Sequence, residues 1–184
     1  MTDPAADAAL AARLADRTAA LCATLSPIGE EAALTAQVAA WAARFPHVRR
    51  VKDSLVVLVD GRRAPSAARP LVALCGHLDT VPVHEADRGG PRREGGRLVA
   101  PGASDMKGGL ALMMALAEDL PAAARGCDLA LVFYAREEAA LEPGAAITRN
   151  LQGADRGIRR ARHQVHAQPP RGRGRSCPAD RLAR

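Results

Sequence analysis

Aromatic side chains are scarce: one Trp, one Tyr and two Phe in 184 residues. Small apolar residues, alanine above all, must supply the core, and the stacking platforms that usually accompany single-strand nucleic-acid binding are missing. Cysteine is equally sparse. Cys22, Cys75, Cys127 and Cys177 lie far apart and none sits in a CxxC pair, which speaks against a disulfide framework and for reduced thiols in a cytoplasmic protein. No segment approaches the roughly eighteen continuous apolar residues a membrane helix needs. The N-terminus shows no basic stretch followed by an apolar run, so nothing in it reads as a secretion signal. Two chemistries are absent as well: no Gly-rich phosphate loop follows a strand, and no Ser/His/Asp or Cys/His nucleophile pattern stands out.

A chain of this length holds one domain with a real core and is too short for two large ones. The formal net charge of +6 suggests a nucleic-acid partner until it is split along the chain. Residues 1–150 carry 17 Lys and Arg against 18 Asp and Glu, whereas residues 151–184 carry nine Arg against two Asp. The basicity therefore belongs to the tail, where a generic attraction to polyanions is the most it implies.

Leu10, Leu14, Leu21 and Leu25 recur at helical spacing and predict a helix over 8–23, ended by Ser26-Pro27. Ser26 is then the expected N-cap of a second helix, with Glu30 and Glu31 near its positive end and Leu34, Val38, Trp41 and Phe45 as its buried stripe. The runs SLVVLVD (54–60) and RPLVALCG (69–76) read as strands, the second buried on both faces, with a polar turn between them. Residues 84–104 predict a loop with a small hairpin about Gly95-Gly96. A helix over 106–120 comes next, with Leu110, Met113, Met114 and Ala117 on one face, and then a third buried strand, DLALVFYA (128–135). Strand, helix, strand predicts a right-handed parallel unit, and the fold class is α/β with a mostly parallel sheet flanked by helices. From about Pro143 neither period persists, and disorder is the expectation for 143–184.

Three clusters fall where this reading puts the C-terminal ends of strands: His77-Leu78-Asp79, Asp105 in GASDMKGG, and Glu137-Glu138. Ligand sites of open α/β sheets lie along that edge. One imidazole with several carboxylates suits zinc, cobalt or manganese. Residues two apart on an extended segment share a side, so Asp79 is placed to accept a hydrogen bond from the ring nitrogen of His77 that faces away from a metal. Adjacent Glu137 and Glu138 should point in different directions, one toward metal and one toward water. Each cluster also has an ordinary reading: a satisfied His–Asp pair, a solvated strand end, and Asp105 as the N-cap of the following helix. Cys75 reads as a small buried apolar residue, Met113 and Met114 as core, and His47, His84, His163 and His166 as surface residues.

Taken together and in order, CGHLDTVPV, PGASDMKGGLALMMALAEDL and LALVFYAREE resemble the consecutive motifs of M20 metallopeptidases, over roughly residues 5–142. The wording SDMKGG and VFYAREE is most similar to the succinyl-diaminopimelate desuccinylase branch. That resemblance implies a Zn-peptidase-like catalytic domain with two divalent ions, zinc or cobalt. His77 would bind the first, Asp105 would bridge them and Glu138 would bind the second, while Asp79 orients His77 and Glu137 acts as general base. The implied substrate is a small N-acyl amino acid, N-succinyl-LL-2,6-diaminopimelate, released as succinate and LL-2,6-diaminopimelate.

The family pattern has a further acidic ligand, an inserted dimerisation domain that makes its full-length members homodimers, and a final His ligand. No residue here matches these, so 1–142 reads as the N-terminal part of the catalytic domain and 143–184 as a tail unlike the family, as a frameshift or truncation would produce. An incomplete, inactive site is the expectation, and the strand at 129–134 would be left with an open apolar edge. Other readings are a deacetylase or aminopeptidase of the same family, or a noncatalytic product with a polyanion-binding tail.

Overall fold

The computed structural model describes residues 3–60 and 69–139; the polar turn before Arg69 and the basic tail lie outside them. The first helix, α1 (Pro4–Cys22), starts earlier than the leucine spacing predicts, because Asp3 accepts from the Ala5 amide at 3.0 Å and Pro4 suits the first turn. The second, α2 (Ala32–Ala42), starts later than Ser26, with Glu31 at the cap position. Ser26 and Pro27 instead run alongside Thr80, bridged at Pro27, and the chain turns at Ile28-Gly29. The expected stripe of α2 is largely kept: Leu34 and Val38 are buried, and Trp41 packs edge-on to Phe45 with centroids 5.1 Å apart.

The sheet has the order β1-β2-β6-β3, with β1 (His47–Val51), β2 (Ser54–Leu58), β3 (Leu71–His77) and β6 (Asp128–Tyr134). The first of these was not legible. HVRRV carries two arginines and pairs as the outer arm of a hairpin with β2, turned at Lys52, whose φ of 54° is left-handed. This hairpin makes the sheet mixed, a correction to the mostly parallel sheet expected: β1–β2 and β2–β6 are antiparallel, and only β3–β6 is parallel. The parallel pair is the predicted one, crossed over by α3 (Gly108–Asp119). A second small sheet, β4 (Arg92–Glu94) with β5 (Arg97–Val99), is the hairpin expected about Gly95-Gly96.

Two further expectations change with the strand order. The strand β6 is central, hydrogen-bonded on both sides, so it has no open edge. Among the described residues β1 and β3 are the edge strands, and β3 is not buried on both faces: Val72 is 41% exposed, and Cys75 is exposed rather than buried.

The helices pack one face of the sheet, where Leu55, Val57, Leu129, Leu131 and Phe133 meet Leu34, Val38, Leu110 and Met113. Glu118 of α3 ties the three helices together, accepting from Arg17 of α1 and from Trp41 and Arg44 beyond it, each at 2.7 Å. Contact between α3 and β3 depends on a missing side chain at Gly76, where a Cβ would come within 2.5 Å of Leu110 Cδ2. Leu110 is fully buried and has little room to withdraw. Gly76→Ala should destabilise the fold by about 1–3 kcal/mol, as overpacking does. A urea titration reads this as a lower midpoint, and an unchanged midpoint would mean that α3 moves aside freely.

Candidate metal centre

Because β3 and β6 run parallel, their C-terminal ends lie side by side, with His77 opposite Tyr134 and the Leu78 amide bonded to the Tyr134 carbonyl at 2.7 Å. The residues that end the two strands, and the segments just past them, are therefore delivered to one edge. His77 ends β3, and Glu137 and Glu138 come just after β6. Arg136 has a φ of 66°, a left-handed turn that costs a non-glycine residue about 1–2 kcal/mol. The chain is thus not extended at Glu137-Glu138, and the two acids do not diverge as expected. Ligand atoms of His77, Glu137 and Glu138 all lie within 4.8 Å of one another.

Asp105 joins this group through the same imidazole, its Oδ1 2.9 Å from His77 Nε2. It stands in an irregular turn, Ala103–Lys107, that leads into α3. The N-cap reading of Asp105 fails, since the cap position of α3 is Lys107 and no side chain caps it. Gly108, unexpected early in a helix, is required by that turn: a Cβ there would lie 2.8 Å from the Ala103 carbonyl.

Asp79 holds two of the other residues at once. Its backbone carbonyl lies 3.0 Å from His77 Nδ1, while its carboxylate Oδ2 accepts from the Glu138 amide at 2.8 Å. The expected bond from the ring to the Asp79 carboxylate is not made, because Oδ1 stands 3.8 Å from Nδ1. That oxygen is buried and has no hydrogen-bond partner among the described residues, which leaves it spare accepting capacity behind His77.

The chemistry of His77 is set by its two neighbours. A carbonyl only accepts, so Nδ1 carries a proton. The lone pair of Nε2 would then face a carboxylate oxygen at 2.9 Å, which is repulsive unless a cation lies between them. A proton or a divalent metal ion can fill that role. Burial pushes the His77 imidazolium down, but the hydrogen bonds to Asp105 and the Asp79 carbonyl, with both carboxylate charges, hold it above its ordinary value. Tyr134 shows the same field: burial first, then Glu137, Asp79 and Asp105 among its neighbours, push its hydroxyl up. The imidazole–carboxylate donor set fits zinc or cobalt.

A cleft of about 480 Å³ opens beside these residues, walled by Thr80 to His84, the β4–β5 hairpin and the turn at Asp105, with Glu138 reaching into it. Arg92 and His84 line its outer side. His84 is a surface residue, as expected, and its ring accepts from the Ala86 amide at 3.2 Å.

All five residues singled out in the sequence thus converge on one edge. Two that contribute from behind were missed. Lys107 is 1% exposed and donates to the Thr24 carbonyl at 2.8 Å, and Ser26, also buried, donates to the Leu78 carbonyl at 2.7 Å. A lysine in a Gly-rich motif reads as solvated, and no sequence signal marked it as buried.

An imidazole and grouped carboxylates at the C-terminal edge of a parallel strand pair define an α/β domain with a candidate divalent-metal centre. The chain belongs to peptidase family M20/M25/M40, whose family model matches residues 73–176. Among solved structures it is similar to an aminoacylhistidine dipeptidase from Vibrio alginolyticus, at 22% identity and a TM-score of 0.54, covering 74% of this chain and 31% of that one. Human carnosine dipeptidase 1 is similar at 18% identity and a TM-score of 0.54, covering 85% of this chain and 36% of that one. At these identities the likeness is one of fold, and the chain spans well under half of either structure's length. No curated protein sequence matches it. Among the described residues no helix is long and apolar enough to cross a membrane.

Proposed function

We propose that this chain is the metal-binding part of an amidohydrolase that cleaves N-succinyl-LL-2,6-diaminopimelate to succinate and LL-2,6-diaminopimelate. His77, Asp105 and Glu138 are its metal ligands, Glu137 its general base and Asp79 the residue that aims His77 and Glu138. The observation that carries the reading is the convergence of His77, Glu137 and Glu138 within 4.8 Å. Divalent ions held there supply Lewis-acid polarisation of an amide carbonyl and make water more acidic. Glu137 takes the proton from the attacking water and hands it to the departing amine as the C–N bond breaks. The succinyl substrate rests on the wording SDMKGG and VFYAREE. The dipeptidase structures favour a second reading, hydrolysis of an aminoacyl-histidine dipeptide, which uses the same chemistry.

The test is zinc or cobalt uptake by the 184-residue chain together with hydrolysis of both substrates. Metal uptake is expected with little turnover while the family's further ligands are unmatched, and such turnover as occurs should release succinate in preference to histidine. A preference for the dipeptide would replace the desuccinylase reading, and failure to take up either metal would overturn the centre itself. In a chain that also carries the family's further ligands, Glu137→Gln should lower turnover about 10²- to 10⁴-fold with metal content unchanged. If metal is lost instead, Glu137 and Glu138 exchange roles.

A further inference from the structure

Lys107 has no place in the chemistry above, yet it is among the largest fully buried side chains of the described residues. Its position contradicts two local preferences. It occupies the N-cap position of α3, where Ser, Thr, Asp or Asn is favoured and a cation is opposed by the helix dipole. It also brings an ammonium out of water, and the polar partner it finds is a carbonyl rather than a carboxylate. The stability of the helix does not explain it.

The ammonium reaches the segment just past the C-terminal end of α1, at Thr24, where helix carbonyls lack partners and a positive charge is favourable. Two residues further on, that segment grips the other ligand-bearing strand. Ser26 Oγ donates to the Leu78 carbonyl at 2.7 Å, the Thr80 amide to the Ser26 carbonyl at 2.9 Å and the Ile28 amide to the Thr80 carbonyl at 3.0 Å. On the other side, Lys107 closes the turn that carries Asp105, its own amide donating to the Gly102 carbonyl at 2.8 Å. A Cβ on Gly102 would lie 2.7 Å from Thr80 Cγ2 and 3.3 Å from Lys107 Cδ and Cε. Three segments, 24–28, 77–80 and 102–107, therefore meet with no slack at one junction behind the metal ligands.

We infer that Lys107 and Ser26 are positioning residues: through the 24–28 segment they hold the His77 and Asp105 loops at the separation that metal binding requires. Neither touches the metal or the substrate. The inference rests on the metal centre proposed above.

A buried lysine and a methionine are similar in volume, so Lys107→Met removes the ammonium while filling its space. If the residue serves only the fold, losing its hydrogen bond lowers stability, and metal affinity falls only as the folded fraction falls. If it positions the ligands, the fold is unharmed or gains from the loss of a buried charge, while the site loosens. The experiment is titration of the 184-residue chain and its Lys107→Met and Ser26→Ala variants with Co²⁺. The visible absorption of the bound ion reports ligand geometry, and a thermal melt of each metal-free protein is recorded beside it. We expect Lys107→Met to bind Co²⁺ about 10- to 100-fold more weakly with an altered band shape and an unchanged or higher melting temperature. Ser26→Ala should change affinity and spectrum in the same sense, and it carries the test if Lys107→Met does not fold. Wild-type affinity and spectrum in the folded variants would overturn the positioning role. So would weaker binding that only follows a lower melting temperature. A wild-type chain that binds no Co²⁺ would overturn the centre itself and this inference with it.

Discussion

His77→Ala should reduce the zinc or cobalt bound by the chain to a trace, with affinity lower by more than about 100-fold, because loss of a mere hydrogen-bonding partner of a ligand already costs about 10- to 100-fold. Three contacts fail together in this variant: the one to Asp105 at 2.9 Å, the one to the Asp79 carbonyl at 3.0 Å and the grouping with Glu137 and Glu138. The carboxylates that remain suit magnesium or calcium better than zinc. The wild type should also show a pH dependence that the variant lacks. The proton on Nε2 competes with metal for one lone pair, and His77 is held above its ordinary value of 6.5, so affinity rises as the pH climbs through that raised value. For the metal-free protein the sign is opposite: the imidazolium stabilises the fold fully below the ordinary value, and that contribution is lost as the pH passes the raised one. Isothermal titration with zinc at several pH values checks the first statement, and urea unfolding of the metal-free protein over the same pH range checks the second. Stoichiometric zinc in His77→Ala would remove His77 from the ligand set.

The element types that position the centre were legible because they rest on period alone. LALVFYA and VALCG are too apolar for anything but buried or edge strands, and Leu110, Met113, Met114 and Ala117 carry a helical stripe over 106–120 between them. Strand order was not legible, because it depends on β1, whose two arginines hide its alternation, and a hairpin on the far side turned an expected parallel sheet into a mixed one. The same limit misplaced the open edge, which lies at β1 and β3 and not at β6. At the site, residue types and spacing located all five candidates, while the details that decide what each can do were set by tertiary context. The turn at Arg136 brings both glutamates to one imidazole, and the Asp79 carbonyl, not its carboxylate, meets the ring. Ser26 is governed by tertiary context too. Its hydroxyl suits a helix cap, and a buried carbonyl on a neighbouring strand outcompetes that use.

The largest loss of stability should come from Phe133→Ala, at about 3–5 kcal/mol. A domain of this size is stable by only about 5–15 kcal/mol, so the variant sits near the limit of folding at physiological temperature. Phe133 is 0% exposed and lies on the central strand, with Leu55 beside it on β2 and Gly76 beside it on β3. Across the interface the Trp41 ring meets it edge-on at a centroid distance of 6.0 Å. A cavity here cannot be filled from β3, since Gly76 has no side chain to offer, and the Trp41 ring beside it is tethered by its hydrogen bond to Glu118 at 2.7 Å. Urea unfolding measures the loss, and a value under about 1.5 kcal/mol, typical of a volume-conserving swap, would mean that Trp41 and Leu55 collapse into the space. The variant also separates folding from ligation. Phe133 lies on β6, a few residues before Glu137, so Phe133→Ala should lose metal only as it unfolds and regain it on addition of an osmolyte such as sucrose, whereas His77→Ala should stay empty while folded.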